Sequence, residues 1–174
     1  MIGLIKPRMQ TVRAQIELGE IPPPELFLSP KRKNVVCFLR HTGCPFAEEL
    51  CKQASSIAEA NPEINVTVVA HGEEPIARAW FNEIKLAPSI TALVDPDRER
   101  YGRWGLGYCD ASELINPKVL WRVGSLLLAG IRNRKASGTR WQRQAVFVVD
   151  KDGRVAWRHI AGNVSDVPKI PINR

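Results

Sequence analysis

The stretch NVVCFLRHTGCPFAEELCKQASSIA, residues 34–58, predicts how the rest of the chain is arranged. It begins with an apolar run, residues 35–39, that is typical of a buried strand. Residues 40–43 are polar and end in glycine, which permits a sharp turn. Cys44 and Pro45 then open a helix, because proline fits the first helical turn, and apolar residues recur at helical spacing beyond it. The stretch therefore predicts a strand, an elbow and a helix.

The cysteines differ in their surroundings along the sequence. Cys37 lies inside the predicted strand and Cys51 on the apolar face of the predicted helix, so both are typical of inert core residues. Cys44 lies outside both patterns, in a turn that also contains Arg40 and His41. Because the unpaired amides of a helix N-terminus stabilise a thiolate, we interpret Cys44 as the reactive thiol.

Length and composition narrow the class of protein. A chain of 174 residues predicts one domain, and four irregularly spaced cysteines do not indicate a disulfide framework. We expect a reducing, cytoplasmic location, because no apolar run has the length of a signal peptide or a membrane span.

Charge is unevenly distributed. Residues 114–149 carry seven Lys and Arg and no acidic residue, while the net charge of the whole chain is +7. Such a segment favours an anionic small molecule or reductant. No basic run, zinc-finger spacing or aromatic-interleaved motif indicates nucleic acid. We expect no nucleic-acid or membrane partner, no metal and no bound cofactor.

The order of predicted elements favours an α/β fold. After the first helix, residues 64–70 and 90–94 read as strands, with helices predicted over 73–85 and from 95 to 104. Strands that alternate with helices at this spacing are typically parallel neighbours in one sheet. Residues 145–159 then predict an antiparallel hairpin with an edge strand.

The remaining segments are less regular. We expect an N-terminal arm over 1–33, with a short helix at 8–18, before a domain over 34–163 and a C-terminal tail over 164–174. Residues 105–117 are turn-rich and are predicted to be irregular. The helix that follows has an apolar face predicted to contain Val119, Leu120, Val123, Leu126, Leu127 and Ile131.

Three segments together resemble the thioredoxin-fold superfamily: FLRHTGCPFAE (38–48), YGRWGLG (101–107) and RWQRQAVFVVDKDGRV (140–155). Within it, they are most similar to the peroxiredoxin-like group of alkyl hydroperoxide reductases and thiol-specific antioxidant proteins, particularly the divergent fungal versions. The resemblance implies a three-layer α/β fold with a central mixed sheet of about four or five strands flanked by helices.

The resemblance also implies roles for individual residues. Cys44 matches the peroxidatic cysteine, and Ala47 stands where thioredoxins have a second cysteine, so no local disulfide can form. His41 takes the position at which peroxiredoxins usually carry threonine, and Thr42 follows it. Gln144 takes the position of a cis-proline in thioredoxins or an arginine in peroxiredoxins.

A peroxidatic site needs groups around the thiolate. Thr42 would orient the peroxide and His41 would carry a proton, so both join Cys44 as catalytic candidates. Donors would favour the thiolate and the charge that develops on the leaving oxygen. The substrate-binding candidates are Arg40, Arg140, Arg143 and Gln144.

Two cysteines are candidates for resolving oxidised Cys44. Cys51 is seven residues away on the same helix, which separates the Cα atoms by about 10 Å, beyond disulfide reach. Cys109, in the segment GYCD, is the better candidate. An external thiol such as thioredoxin or glutathione is the alternative reductant.

The sequence therefore predicts a thiol-dependent antioxidant enzyme that reduces peroxides through Cys44, as a monomer or homodimer. One alternative is a thioredoxin-fold enzyme redirected to a small-molecule tailoring step in specialised metabolism, with a substrate pocket formed by Arg40, His41, Thr42, Arg140 and Trp141. Another is a non-catalytic binding module that docks an acidic partner through the basic helix.

Overall fold

A central five-stranded sheet organises the protein in a computed structural model, which describes residues 5–9, 11–26, 28–114 and 117–172. The strands are β1 (Asn34–Phe38), β2 (Asn65–Ala70), β3 (Thr91–Val94), β4 (Ala145–Val149) and β5 (Val155–Ile160). Their order across the sheet is β3-β2-β1-β4-β5. β1, β2 and β3 run parallel, while β4 is antiparallel to both β1 and β5. The predicted mixed sheet with its antiparallel edge strand is confirmed.

Helices cover both faces of this sheet. They are α1 (Pro45–Ala60), α2 (Glu74–Glu83), α3 (Glu99–Arg103), α4 (Ala111–Leu114) and α5 (Pro117–Leu128). Successive residues of β1 point to opposite faces, so Val35 and Cys37 join a core with α1, α2 and α5, whereas Val36 and Phe38 join a core with α3. The predicted three-layer α/β architecture is therefore confirmed. Within the described chain, no helix is long and apolar enough to cross a membrane.

Tyr101 of α3 fastens the second core to the carboxyl ends of β1 and β2. Its hydroxyl lies 2.7 Å from the carbonyl oxygen of Leu39 and 2.8 Å from that of Val69. The ring packs edge-on against Phe38, with centroids 5.0 Å apart. Asp95 starts the helix by accepting the backbone N–H of Arg100 at 2.9 Å and that of Tyr101 at 3.3 Å. Tyr101 therefore anchors the end of β1, where the elbow begins.

The helix predicted over 8–18 is wrong, because the described residues of that range run without helical structure. The backbone of the arm makes hydrogen bonds to the domain instead of hydrogen bonds within a helix. The N–H of Arg13 donates to the carbonyl of Gly102 at 2.9 Å, and the N–H of Gly19 donates to the carbonyl of Val155 at 2.8 Å. The arm approaches α3 so closely that a Cβ on Gly102 would overlap the carbonyl oxygen of Thr11. Tertiary hydrogen bonds therefore override the local apolar spacing.

The predicted apolar face of α5 is partly wrong. Val119 and Leu126 are buried, and Ile131 is buried just after the helix ends. Leu127 is 50% exposed, since it lies one position past the buried side of the helix, and Leu128 is 93% exposed. The side chain of Leu120 lies outside the described residues.

Residues 105–117 also depart in part from the irregular structure expected of them. The short helix α4 forms within this range, while residues 115 and 116 lie outside the described part.

Replacing Tyr101 with Phe removes the hydroxyl but keeps the ring in its aromatic cluster. Because the carbonyls of Leu39 and Val69 then lose a buried donor, we expect the free energy of unfolding to fall by roughly 1–3 kcal/mol in urea titrations. Tyr108→Phe is the control, since its half-buried hydroxyl binds the arm at Pro7 and the side chain of Arg98, and its loss should cost less than that of a fully buried hydroxyl. Equal effects from the two variants would show that Tyr101 has no special anchoring role.

Candidate thiol site

Cys44 lies at the point where the elbow becomes α1. It is the N-cap of the helix, with extended backbone (φ −80°, ψ 130°), and its carbonyl accepts the N–H of Glu48 at 3.0 Å. Gly43 makes the preceding turn with φ of 79°, a conformation that favours glycine. The thiol is only 2% exposed. The predicted elbow and helix start are therefore formed, and they bury the thiol against the first turn of the helix.

Arg40 is the charged neighbour of this thiol. Its Nη1 donates to Cys44 Sγ at 3.7 Å and lies 3.4 Å from His41 Nε2. Its own carbonyl oxygen accepts from His71 Nε2 at 2.6 Å. Arg40 is 9% exposed, so its charge is weakly screened by solvent. A buried cation in contact with sulfur stabilises the thiolate over the thiol.

Two buried histidines flank Arg40, and both are neutral at pH 7. Burial lowers the pKa of His41 to about 3, and the charges of Arg40 and Arg140 act in the same direction. Burial likewise lowers the pKa of His71 to about 3. His41 Nδ1 donates to the carbonyl of Thr42 at 2.8 Å, which leaves Nε2 free to accept from Arg40. Neutral His41 thus accepts from the guanidinium, and neutral His71 binds the backbone carbonyl of the same residue, so neither imidazole adds a positive charge beside Arg40.

A loop over residues 131–139, here called the covering loop, closes over the elbow. Arg134 N–H donates to the carbonyl of Gly43 at 2.8 Å, and Ser137 N–H to Thr42 Oγ1 at 3.2 Å. Ser137 Oγ also donates to the carbonyl of His71 at 2.6 Å. A Cβ on Gly43 would lie 2.6 Å from the carbonyl oxygen of Lys135, so glycine is required here for packing as well. The loop leaves Thr42 fully buried.

The remaining predicted substrate-binding residues occupy two places. Arg140 lies close enough to His41 to affect its pKa. Arg143 forms an ion pair with Glu113 at 2.8 Å and lines a small cavity together with Arg40 and Gln144. The structure therefore brings Arg40, His41 and Cys44 into contact, while Arg143 and Gln144 meet Arg40 on a different side.

The other three cysteines are buried as well. Burial raises the pKa of Cys37 to about 12 and that of Cys51 well above its ordinary value, which fits the interpretation of both as core residues. Cys109 Sγ donates to the carbonyl of Trp141 at 3.0 Å. Burial raises the pKa of Cys109, and the charge of Arg40 opposes that rise. Cys109 is thus near Arg40 and held as a thiol, and the four cysteines are unpaired.

Three site residues were missed from the sequence: His71, Ser137 and Gln142. His71 had a usable signal, because it directly follows β2 just as the elbow follows β1, and the carboxyl ends of parallel strands meet at one edge of a sheet. Ser137 and Gln142 reach the site only through the folding of a long irregular segment. Within the described residues, no group of three His, Cys, Asp or Glu is placed to hold a metal ion.

The fold and the cysteine position define a class of protein. A mixed sheet with parallel β1 and β2, an antiparallel β4–β5 hairpin and a cysteine opening the helix after β1 is the arrangement of thioredoxin-like proteins. Residues 49–163 match the family model described as AhpC/TSA antioxidant enzyme. The chain therefore belongs to this peroxiredoxin-like family, which supports a thiol-dependent redox role. Cys44 itself lies just before the matched range.

Solved structures agree on the fold. The thiol peroxidase of Chromobacterium violaceum superposes with a TM-score of 0.62 at 13% identity, covering 95% of this chain and 88% of its own. A peroxiredoxin-like protein of Aquifex aeolicus has a TM-score of 0.59 and 18% sequence identity, and the match covers 90% of this chain and 83% of that protein. Peroxiredoxin 5 of Alvinella pompejana has a TM-score of 0.57 and 15% sequence identity, and the match covers 87% of this chain and 92% of that protein. No curated protein sequence is significantly similar to the chain.

Acid should destabilise the protein through its buried histidines. An unfolded histidine takes up a proton below its ordinary pKa of 6.5, whereas folded His71 does so only near 3, so the unfolded state binds more protons in between. Stability should therefore fall as pH drops from 6.5 toward 3, by about 1.4 kcal/mol per pH unit for each such histidine.

His71→Gln keeps an amide donor for the carbonyl of Arg40 and removes the titration. Urea unfolding of this variant across the same pH range should show a shallower acid decline than the wild type. His159→Gln, at a half-buried position on β5, is the matched control and should keep more of the wild-type slope. If the free energy of unfolding fell equally with pH in His71→Gln and in wild type, the conclusion that His71 is buried and neutral would be wrong.

Proposed function

We propose that the protein is a thiol-dependent peroxidase in which Cys44 is the peroxidatic residue. The contact between Arg40 Nη1 and Cys44 Sγ, at the N-cap of α1, carries this proposal. It places a buried positive charge and the positive end of a helix dipole on the same sulfur atom. Family membership supports redox chemistry at a thiol, and of the four cysteines only Cys44 has this double electrostatic support.

The reaction follows from a stabilised thiolate. Cys44 Sγ attacks one oxygen of a peroxide, so that an S–O bond forms as the O–O bond breaks. Cys44 becomes sulfenic acid, and the departing alkoxide or hydroxide leaves as alcohol or water after protonation from solvent. Arg40 acts both before and during the attack. The guanidinium that stabilises the thiolate also stabilises the negative charge that develops on the leaving oxygen.

Burial of the site favours small peroxides. Cys44 is 2% exposed, His41 1% and Thr42 fully buried under the covering loop. A bulky organic substrate would have to displace that loop and its hydrogen bonds to Thr42 and Gly43. We therefore propose hydrogen peroxide and small hydroperoxides as substrates, which weighs against the pocket of a tailoring enzyme. Thr42 and His41 then act mainly by holding the elbow, since their polar atoms bind the covering loop and Arg40.

The chain also contains a candidate resolving cysteine, Cys109. Cys109 lies near the guanidinium that contacts Cys44, so we propose that it attacks the sulfenic acid, forming a disulfide and releasing water. Thioredoxin or glutathione would then reduce that disulfide. We further propose that the enzyme works in the cytoplasm as a monomer or homodimer.

Cys44→Ser should abolish peroxide turnover. We expect mass spectrometry with residue mapping to show that wild-type Cys44 is oxidised, either to sulfenic acid or to the disulfide that follows it, within seconds of one equivalent of hydrogen peroxide. Cys51→Ser is the control, because Cys51 is buried on the same helix away from Arg40 and should leave oxidation at Cys44 unchanged. Oxidation of Cys44 at the rate of an ordinary exposed thiol would overturn the peroxidase proposal.

Cys109→Ser should separate the two routes of reduction. In wild type, one equivalent of peroxide should yield a Cys44–Cys109 disulfide on non-reducing peptide mapping, whereas the variant should accumulate a sulfenic acid that dimedone traps. Cys37→Ser, at another buried thiol, should leave the disulfide intact. Trapping of equal sulfenic acid in wild type would assign reduction to an external thiol instead.

A further inference from the structure

A small cavity is lined by Arg40 and by no other residue of the elbow. It has a volume of about 10 Å³, enough for roughly one water molecule. The cavity lies where the ends of several strands meet: Arg40 follows β1, Gln144 precedes β4 and Ala161 follows β5. Cys109 and Gln142 also line the cavity.

Several of the residues that line this cavity have buried polar atoms with no hydrogen-bond partner in the described protein. These atoms are Arg40 Nε, Gln142 Oε1, both amide atoms of Gln144 and Glu113 Oε2. Gln142 is fully buried and Gln144 is 4% exposed, so bulk solvent does not reach them. Buried polar groups are nearly always hydrogen-bonded in folded proteins, and such a concentration on one small cavity therefore points to a ligand.

The orientation of Gln142 fixes what that ligand must be. Its Nε2 donates to the carbonyls of Leu106 and Gly107, each at 3.1 Å, so the remaining Oε1 can only accept. Arg40 Nε can only donate. An anion without protons cannot satisfy Gln142, and a cation without lone pairs cannot satisfy Arg40. The occupant must both donate and accept within the space of one oxygen atom.

We propose that this cavity binds one water molecule that bridges Arg40 Nε to Gln142 Oε1, with Gln144 as a further partner. The bridge matters because the guanidinium is planar and rigid. A bond at Nε therefore fixes where Nη1 lies, and Nη1 is the atom that contacts Cys44 Sγ at 3.7 Å. Gln142 and Gln144 become positioning residues for Arg40. This last step rests on the proposed role of Cys44, whereas water binding does not.

Gln144→Met tests the binding, because methionine has a similar length and shape but no hydrogen-bonding amide. If the water is present, the variant loses one of its partners and should unfold at a lower urea concentration than wild type. If the cavity binds nothing, the change removes two unsatisfied polar atoms, and stability should be unchanged or higher. Gln15→Met is the control, since Gln15 is exposed and its replacement should be neutral.

A high-resolution crystal structure of the wild-type chain provides a second readout. Electron density for a water within hydrogen-bond distance of both Arg40 Nε and Gln142 Oε1 is expected, and its absence from a well-ordered cavity would overturn the proposal. The coupling to Cys44 is measured by the pH profile of its alkylation by iodoacetamide, mapped by mass spectrometry. Gln144→Met should slow alkylation at pH 7 by about threefold or more, as expected when the thiolate is less stabilised.

These readouts separate the two proposals. An unchanged Cys44 profile in Gln144→Met would overturn the positioning role of the glutamines. Alkylation does not depend on peroxide turnover, so a slowed profile would support positioning even if Cys44 proved not to be peroxidatic.

Discussion

The buried guanidinium of Arg40 is the constraint on which the site depends. A buried cation is stable only when its surroundings supply acceptors and no competing positive charge. The structure supplies two acceptors to the guanidinium, neutral His41 and the Cys44 sulfur, while His71 donates to the backbone carbonyl of Arg40. Since burial keeps both histidines neutral at pH 7, neither places a second positive charge beside Arg40.

The segment after residue 114 is strongly basic in sequence, but in the structure several of its charges are paired. Three of its arginines are paired with acids from other parts of the chain: Arg122 with Glu49 at 2.6 Å, Arg134 with Glu48 at 2.5 Å and Arg143 with Glu113 at 2.8 Å. These pairs join α5 and the covering loop to α1, and they join the segment just before β4 to α4. Much of the apparent positive surface is therefore structural, which reduces its value as an attractant for an anionic reductant.

Residue patterns predicted the fold well where apolar periodicity was strong. β1, β2 and β4 are nearly continuous apolar runs, β5 alternates, α1 has helical apolar spacing, and each of these elements is found in the structure. The pattern failed in the arm, because Arg13 and Gly19 find backbone partners in α3 and β5 that local spacing cannot reveal. It failed at Leu127 for a related reason, since an apolar residue at the edge of a helix face packs only if a neighbouring element reaches it.

The sequence by itself determined the elbow: a strand, a glycine turn and a cysteine beside a proline that starts a helix, since each of these is a local property of the backbone. Tertiary structure alone decided what the thiol contacts. Arg40 could have pointed to solvent, but tertiary packing buries it with Cys44 and His41. His71, Ser137 and Gln142 joined the site for the same reason. Their contacts join residues 30 or more positions apart in the chain. The position of His71 directly after β2 is a signal in the sequence, whereas Ser137 and Gln142 have no local signal, because they reach the site through loop closure.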